Sequence, residues 1–68
     1  MTKQQTRITD LIAACLAAGT VSTETAAREV ATLHRCASSR SQADLLQFAS
    51  SHQLMRHLTT VNGCLVPA

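Results

Sequence analysis

The stretch LTTVNGCLVPA, residues 58–68, decides how this chain ends, because its pattern differs from that of everything before it. β-branched residues flank the pair Asn62-Gly63, and an Asn-Gly pair in such a setting is the strongest short-range signal for a two-residue hairpin turn. The turn needs positive φ angles at both central positions, which Asn and Gly adopt readily. The sequence therefore predicts a β-hairpin over residues 58–66.

The turn also sets the register of this hairpin. Val61 lies opposite Cys64, and Thr60 lies opposite Leu65, when Asn-Gly occupies the two central positions. Since an isolated hairpin is unstable in water, it must pack against the rest of the chain. The alternative is that a preceding helix continues to Val61 and is closed by Gly63, with a loose tail after it.

Ahead of the hairpin, apolar residues recur at helical spacing. The first predicted helix covers residues 2–18 and ends at Gly19, which can adopt the left-handed conformation that closes a helix. The second begins with Ser22 or Thr23 as its N-cap and carries an apolar stripe as far as Ala37. The expected buried face of the first helix, an arc of about 140°, comprises Ile8, Leu11, Ile12, Cys15 and Leu16.

The segment SSRS, residues 38–41, reads as a loop, because short hydroxyl side chains compete with helical hydrogen bonds. A third helix is predicted to begin at Ser41 as its N-cap, with Asp44 at the third helical position as a capping-box variant. The pattern decays later, so this helix should stop between Ser51 and Met55. Its predicted buried face comprises Leu45, Phe48, Ala49, His52 and Met55, whereas Leu54 falls outside that face.

These elements predict one mainly α domain over residues 1–68: a three-helix bundle with a short C-terminal hairpin, at the margin of a winged-helix arrangement. A chain of 68 residues with a single aromatic residue has a small core and little net stability. Chains of this size usually add disulfides, a metal or another polypeptide. The sequence therefore predicts that one of these three contributes to the stability of the protein.

Disulfides and a membrane anchor find little support. Three cysteines are an odd number and too few for a disulfide-built secreted domain. The segment ahead of Cys15 has few apolar residues and contains Asp10, so it does not make a secretory signal. The longest apolar run, residues 11–18, is far shorter than a membrane span of about 20 residues. We expect a cytoplasmic protein with reduced thiols, in which Cys36, beside Arg35, is an exposed surface cysteine and the one candidate for a reactive thiol.

The histidines and cysteines do not predict a metal or catalytic site. On a helix, the side chains of His34 and Cys36 point about 200° apart, and those of His52 and His57 about 140° apart, so neither pair can hold one ion. Four carboxylates with no obvious pairing leave general acid-base chemistry without candidates. We expect no enzyme activity, metal, cofactor or small-molecule substrate. His34 and His52 are expected in the core, with their rings hydrogen-bonded to backbone carbonyls.

The first helix carries alanines where a surface helix would carry polar residues. A helix that is apolar all round must be covered all round. We predict a protein-binding surface formed by Ala13, Ala14, Ala17 and Ala18. The partner is a second copy in a homodimer, or a larger protein that this chain inhibits or adapts by occupying its surface, as small chains of phages and mobile elements often do. The alternative is that the third helix or the hairpin covers these alanines.

Three helices followed by an Asn-Gly hairpin are also the ingredients of a small winged helix-turn-helix, a DNA-binding transcriptional regulator. The formal charge of +2 permits nucleic acid without demanding it. The candidate phosphate contacts are Arg35, Arg40 and Arg56, whereas the outward face of the third helix would carry Gln42 and Asp44 but no cation. Because phosphate contacts dominate affinity and few are available, DNA binding is the second hypothesis, after protein binding.

Overall fold

Three helices followed by one antiparallel hairpin make up the fold in the computed structural model, which describes residues 1–68. The prediction of a mainly α three-helix bundle with a C-terminal hairpin is confirmed. The elements in chain order are helices α1 (Lys3–Ala18), α2 (Thr23–Arg35) and α3 (Ser39–Ser51), a 3-10 turn η1 (Met55–His57), and strands β1 (Leu58–Val61) and β2 (Cys64–Pro67).

The hairpin forms around the predicted turn. Asn62 and Gly63 have φ angles of 52° and 79°, the positive values that both central residues of a type I′ turn require. The alternative of a helix that continues to position 61 is therefore wrong. Strand β2 ends at Pro67, one residue beyond the predicted end. The predicted register is confirmed by the pairs Val61–Cys64 and Thr60–Leu65.

Local capping sets the bounds of the first two helices much as the sequence predicts. The Thr2 hydroxyl accepts a hydrogen bond from the Gln5 backbone N–H at 3.1 Å, and Gln5 Oε1 accepts from the Thr2 N–H at 3.0 Å. This capping box satisfies two backbone donors at the start of α1. Gly19, with a φ of 74°, closes that helix. Ser22 caps α2 by accepting from the Thr25 backbone N–H at 3.1 Å.

Helix α3 begins three residues earlier than predicted, so the loop assigned to residues 38–41 is wrong. Its N-cap is Ser38, whose hydroxyl accepts from the backbone N–H of Ser41 at 3.3 Å. Ser41 is buried inside the first turn, so packing rather than local chemistry decides between the two serines. Asp44 consequently lies in the second turn, where its carboxylate pairs with the N-terminal amine of Met1 at 3.3 Å instead of capping the helix.

A reversal of the chain after α3 places Leu54 in the core. Gln53 has a φ of 60°, in the left-handed region that residues other than glycine seldom adopt. The Leu54 backbone N–H then donates to the carbonyl of Ala49 at 2.8 Å. Leu54, predicted to lie outside the buried face, is fully buried, and Met55, predicted to lie on it, is exposed, so both predictions are wrong. The helix ends at Ser51, and helical periodicity no longer directs the side chains beyond it.

Helix α2 lies at the centre of the molecule, with α1, α3 and β2 packed against it. The core is a single cluster of ten buried apolar residues, four of which are alanines. Three of these alanines lie on α2, and their short side chains let the surrounding elements approach the helix closely. The cluster comprises Ile12, Ala26, Ala27, Val30, Ala31, Leu45, Ala49, Leu54, Leu58 and Leu65.

His34 joins the hairpin to α2. Its side chain is buried as predicted, but the predicted carbonyl partner is wrong: Nδ1 accepts from the backbone N–H of Leu65 at 3.5 Å. Because Nδ1 accepts, the neutral ring carries its proton on Nε2. Burial lowers the pKa of His34 below its ordinary value of 6.5. His52 is half-buried, and its Nδ1 does contact a backbone carbonyl, that of Phe48, at 3.0 Å.

Candidate protein-binding surface

The solvent side of α1 is apolar over its last two turns. Leu11 is 64% exposed, more than any other large apolar side chain in the protein. Ala14, Ala17 and Ala18 are also exposed, and Ala13 is half-buried. Leu11, Ala14, Ala17 and Ala18 are called the α1 patch below. This part of α1 therefore presents methyl groups and a leucine to water without an intervening polar side chain.

The exposure of Leu11 corrects the prediction that it belongs to the buried face of α1. In the predicted arc of about 140°, Leu11 occupies one edge. Helix α2 covers the opposite side of that arc, where Ile12 is buried together with Thr9 just beyond the arc, and leaves the edge at Leu11 uncovered. The exposure of Leu11 could not be predicted from the sequence, because the periodicity of α1 does not indicate where α2 lies.

An apolar groove of about 200 Å³ runs beside the α1 patch, between α1 and α2. Glu29 is its only charged lining residue. Cys15, half-buried, lies in the groove as a small apolar side chain rather than as an exposed thiol. The sequence did not predict the contribution of α2. The lining residues are Ile8, Leu11, Ile12, Cys15, Val21, Ala26 and Glu29.

The shape of the molecule explains why the α1 patch is uncovered. The Cα atoms extend over 32 × 27 × 16 Å. Packed helix axes lie about 8–10 Å apart, so the shortest dimension accommodates two layers of helices and not three. The hairpin packs against α2, and α1 has its main tertiary contacts with α2 alone. Neither α3 nor the hairpin therefore encloses the patch. The alternative that one of them covers the exposed alanines of α1 is wrong.

The three candidate phosphate contacts are all exposed, but they do not form one cluster. Arg35 ends α2, and Arg40 lies in the first turn of α3. Arg56 lies in η1, where its Nε donates to His57 Nε2 at 3.3 Å, and that ring nitrogen is 3.0 Å from the hydroxyl of Thr23 at the start of α2. The 13 residues of α2 therefore separate Arg56 from Arg35 by about 18 Å.

The outward face of α3 differs from the prediction. Gln42 is half-buried and donates through Nε2 to the backbone carbonyl of His34 at 2.9 Å, so it is not free to read a base. Asp44 is half-buried, and its ion pair with the N-terminal amine of Met1 partly offsets the negative charge that would repel phosphate. The exposed residues of this helix are Ser39, Arg40, Ala43, Leu46, Gln47, Ser50 and Ser51.

Reactive groups are scattered over the fold. All three cysteines are free, and Cys36 is exposed as predicted. Nowhere do three His, Cys, Asp or Glu side chains come together in a way that could hold a metal ion. Among the helices, none has the combination of length and hydropathy needed to traverse a bilayer.

No protein-family model matches the chain, and neither a curated protein nor a solved structure is significantly similar to it. The geometry of the α1 patch, the groove and the exposed arginines is therefore the basis for the function proposed below.

Proposed function

We propose that this protein is a non-enzymatic binding module that recognises another polypeptide through the α1 patch and the adjoining groove. The partner is a second copy in a homodimer, or a larger protein on which this chain acts as an inhibitor or adaptor. The observation that carries the proposal is the 64% exposure of Leu11 beside a groove with a single charged residue. Contiguous exposed apolar surface of this kind is typical of interaction sites.

The size of a stable interface indicates how much of α1 must take part. A standard interface buries about 800 Å² on each partner. The whole surface of this protein is 4401 Å², so such an interface would cover about a fifth of it. The α1 patch alone is too small, and the contact must extend into the groove and along the first turns of α1.

Replacing Ala14 by glutamate should remove the partner. In cells of the source organism, the wild-type chain, the Ala14→Glu variant and the Ala43→Glu variant would each be affinity-purified beside a second, differently tagged wild-type copy. Both alanines are exposed and helical, so the two substitutions are matched except for their place in the fold. We expect a protein, which can be the second copy, whose recovery falls about tenfold or more with Ala14→Glu and is unchanged with Ala43→Glu.

Circular dichroism melting of both variants would establish that they fold. If no protein, including the second copy, depends on Ala14 while the variant melts like the wild type, protein binding through this surface is wrong.

A second candidate function, binding of duplex DNA, is supported by the order of the elements. Residues 36–38 join α2 to α3 in a three-residue connection, and a hairpin follows, as in a winged helix-turn-helix. Arg40 lies in the first turn of α3 and Arg56 lies after its end, so the two could contact phosphates on either side of a groove. Against this function, the hairpin carries no Lys or Arg, and α2 is longer than the compact motif normally uses.

Salt dependence distinguishes DNA binding from protein binding. Three phosphate contacts give a slope of log K against log salt of about −2.7, a loss of about 40-fold between 50 and 200 mM salt. Arg40→Gln should make the slope about one unit shallower, whereas Arg28→Gln, at a residue that pairs with Glu24 at 3.6 Å, should leave it unchanged. Fluorescence anisotropy with generic duplex DNA would measure both slopes. Failure to bind at 50 mM salt, or equal slopes for the two variants, would exclude this role for Arg40.

A further inference from the structure

We propose that the occupant of the α1 patch is a second copy of this chain whose α1 lies antiparallel to the first, a proposal which rests on the protein-binding function above and names its partner. Two features of α1 support this choice of partner. One is the spacing of its exposed residues, and the other is the distribution of charge along the helix.

The exposed residues of α1 follow the spacing of a helix-pairing seam. Arg7, Leu11, Ala14 and Ala18 are four, three and four residues apart, and all four are exposed. This alternation keeps side chains on one face of a helix at a period of about 3.5 residues, the period of paired helices. Leucine supplies the protruding side chain of such a seam, and the alanines allow the two helix axes to approach closely. A single α1 therefore contains both a projection and a recess.

A two-fold axis near Leu11 lets the leucine of each copy occupy the groove of the other. Leu11 of one copy would enter the groove of its partner, where half-buried Cys15 and Ile8 provide apolar contacts. An isologous interface requires that one surface carry both complementary halves. The α1 patch and the groove adjoin each other and share Leu11, so they meet this requirement.

Charge complementarity decides the orientation. Lys3, Arg7 and Asp10 are the charged side chains of α1. All three lie exposed in its first half, which has a net charge of +1, and none belongs to an ion pair, since the only pairs are Met1–Asp44 and Arg28–Glu24. The last turn of α1 contains no basic residue to offset the negative end of the helix dipole. Antiparallel packing brings Arg7 of each copy towards the carboxyl end of the partner helix. Parallel packing would place the two Arg7 side chains together, and they would repel.

Self-association of the full chain tests this dimer. Sedimentation equilibrium from about 1 to about 500 µM, with a reducing agent because all three cysteines are free, should reveal a dimer with a dissociation constant in the micromolar range, as expected for a small interface. Ala14→Glu should raise that constant about tenfold or more, whereas Ala43→Glu should change it by less than about twofold.

The effect of Arg7→Glu on the dissociation constant tests the orientation of the two helices. In the antiparallel dimer the new carboxylate faces the negative end of the partner helix, so we expect the dissociation constant to rise about fivefold. In a parallel dimer the substitution would exchange the repulsion between two arginines for repulsion between two glutamates, so the dissociation constant would stay about the same. A tighter dimer, or no change, would overturn the proposed arrangement.

A monomer that persists to about 500 µM would overturn the dimer as a whole. The purification described above would then decide the broader function separately. Recovery of a different protein that depends on Ala14 would support protein binding through the α1 patch without a dimer. If no protein were recovered in this way, both the dimer and protein binding through this surface would be wrong.

Discussion

Replacing Leu45 by alanine is expected to lower the free energy of unfolding by about 2–5 kcal/mol. Leu45 is among the largest fully buried side chains of the core, and α3 is held to α2 at this face. Truncation removes its apolar burial and leaves a cavity that a close-packed interior fills only in part. For 68 residues the total stability is on the order of 3–10 kcal/mol, so the variant should be partly or wholly unfolded at room temperature.

Urea denaturation followed by circular dichroism would measure this loss. The matched control is Leu46→Ala, at the next position of the same helix, where the side chain is 38% exposed. Both substitutions change helix propensity equally, so their difference isolates burial. We expect about 1 kcal/mol or less for Leu46→Ala. Equal losses in the two variants would contradict the orientation of α3 described here.

Mild acid is expected to destabilise the protein through His34. Because burial lowers the pKa of this histidine in the folded state, the unfolded chain binds a proton more readily. The contribution of neutral His34 is complete above about pH 6.5 and is lost as the pH falls from there through the folded-state pKa. A single proton limits the slope to about 1.4 kcal/mol per pH unit. Protonated Nδ1 also cannot accept the hydrogen bond from Leu65.

The variant His34→Gln provides the control for this pH dependence. Its side-chain oxygen can still accept a hydrogen bond, but it does not titrate. Urea unfolding of both proteins between about pH 7.5 and 5.5 would be compared, and the difference isolates His34 because every other titratable group is shared. We expect the stability of the wild type to fall more steeply with acid than that of His34→Gln. Parallel curves would show that His34 does not contribute to the acid response.

Features governed by neighbouring residues were predicted well from the sequence. The Asn62-Gly63 turn and its register follow from backbone conformations that few other residue pairs adopt. The end of α1 at Gly19 and the start of α2 at Ser22 follow from capping chemistry within one helical turn. In each case the decisive interaction spans five residues or fewer, so the local sequence contains it.

Predictions failed where a choice between similar local options depended on packing. Ser38 and Ser41 are chemically equivalent caps, and the burial of Ser41 selects the first. His34 could have bonded a carbonyl of its own helix, but β2, more than 30 residues away along the chain, presents the N–H of Leu65 instead. Leu54 reaches the core only because Gln53 adopts a left-handed conformation that no sequence rule requires.

The sequence by itself determined that α1 carries an unusual load of small apolar residues and that three helices precede a hairpin. Only the tertiary structure decided that Leu11 faces solvent, that Val21, Ala26 and Glu29 complete a groove beside it, and that Arg56 and Arg35 lie at opposite ends of α2. The physical reason is that periodicity specifies which side chains share a face of a helix. Which face meets another element depends on how distant segments cross, and that is settled by packing of the whole core.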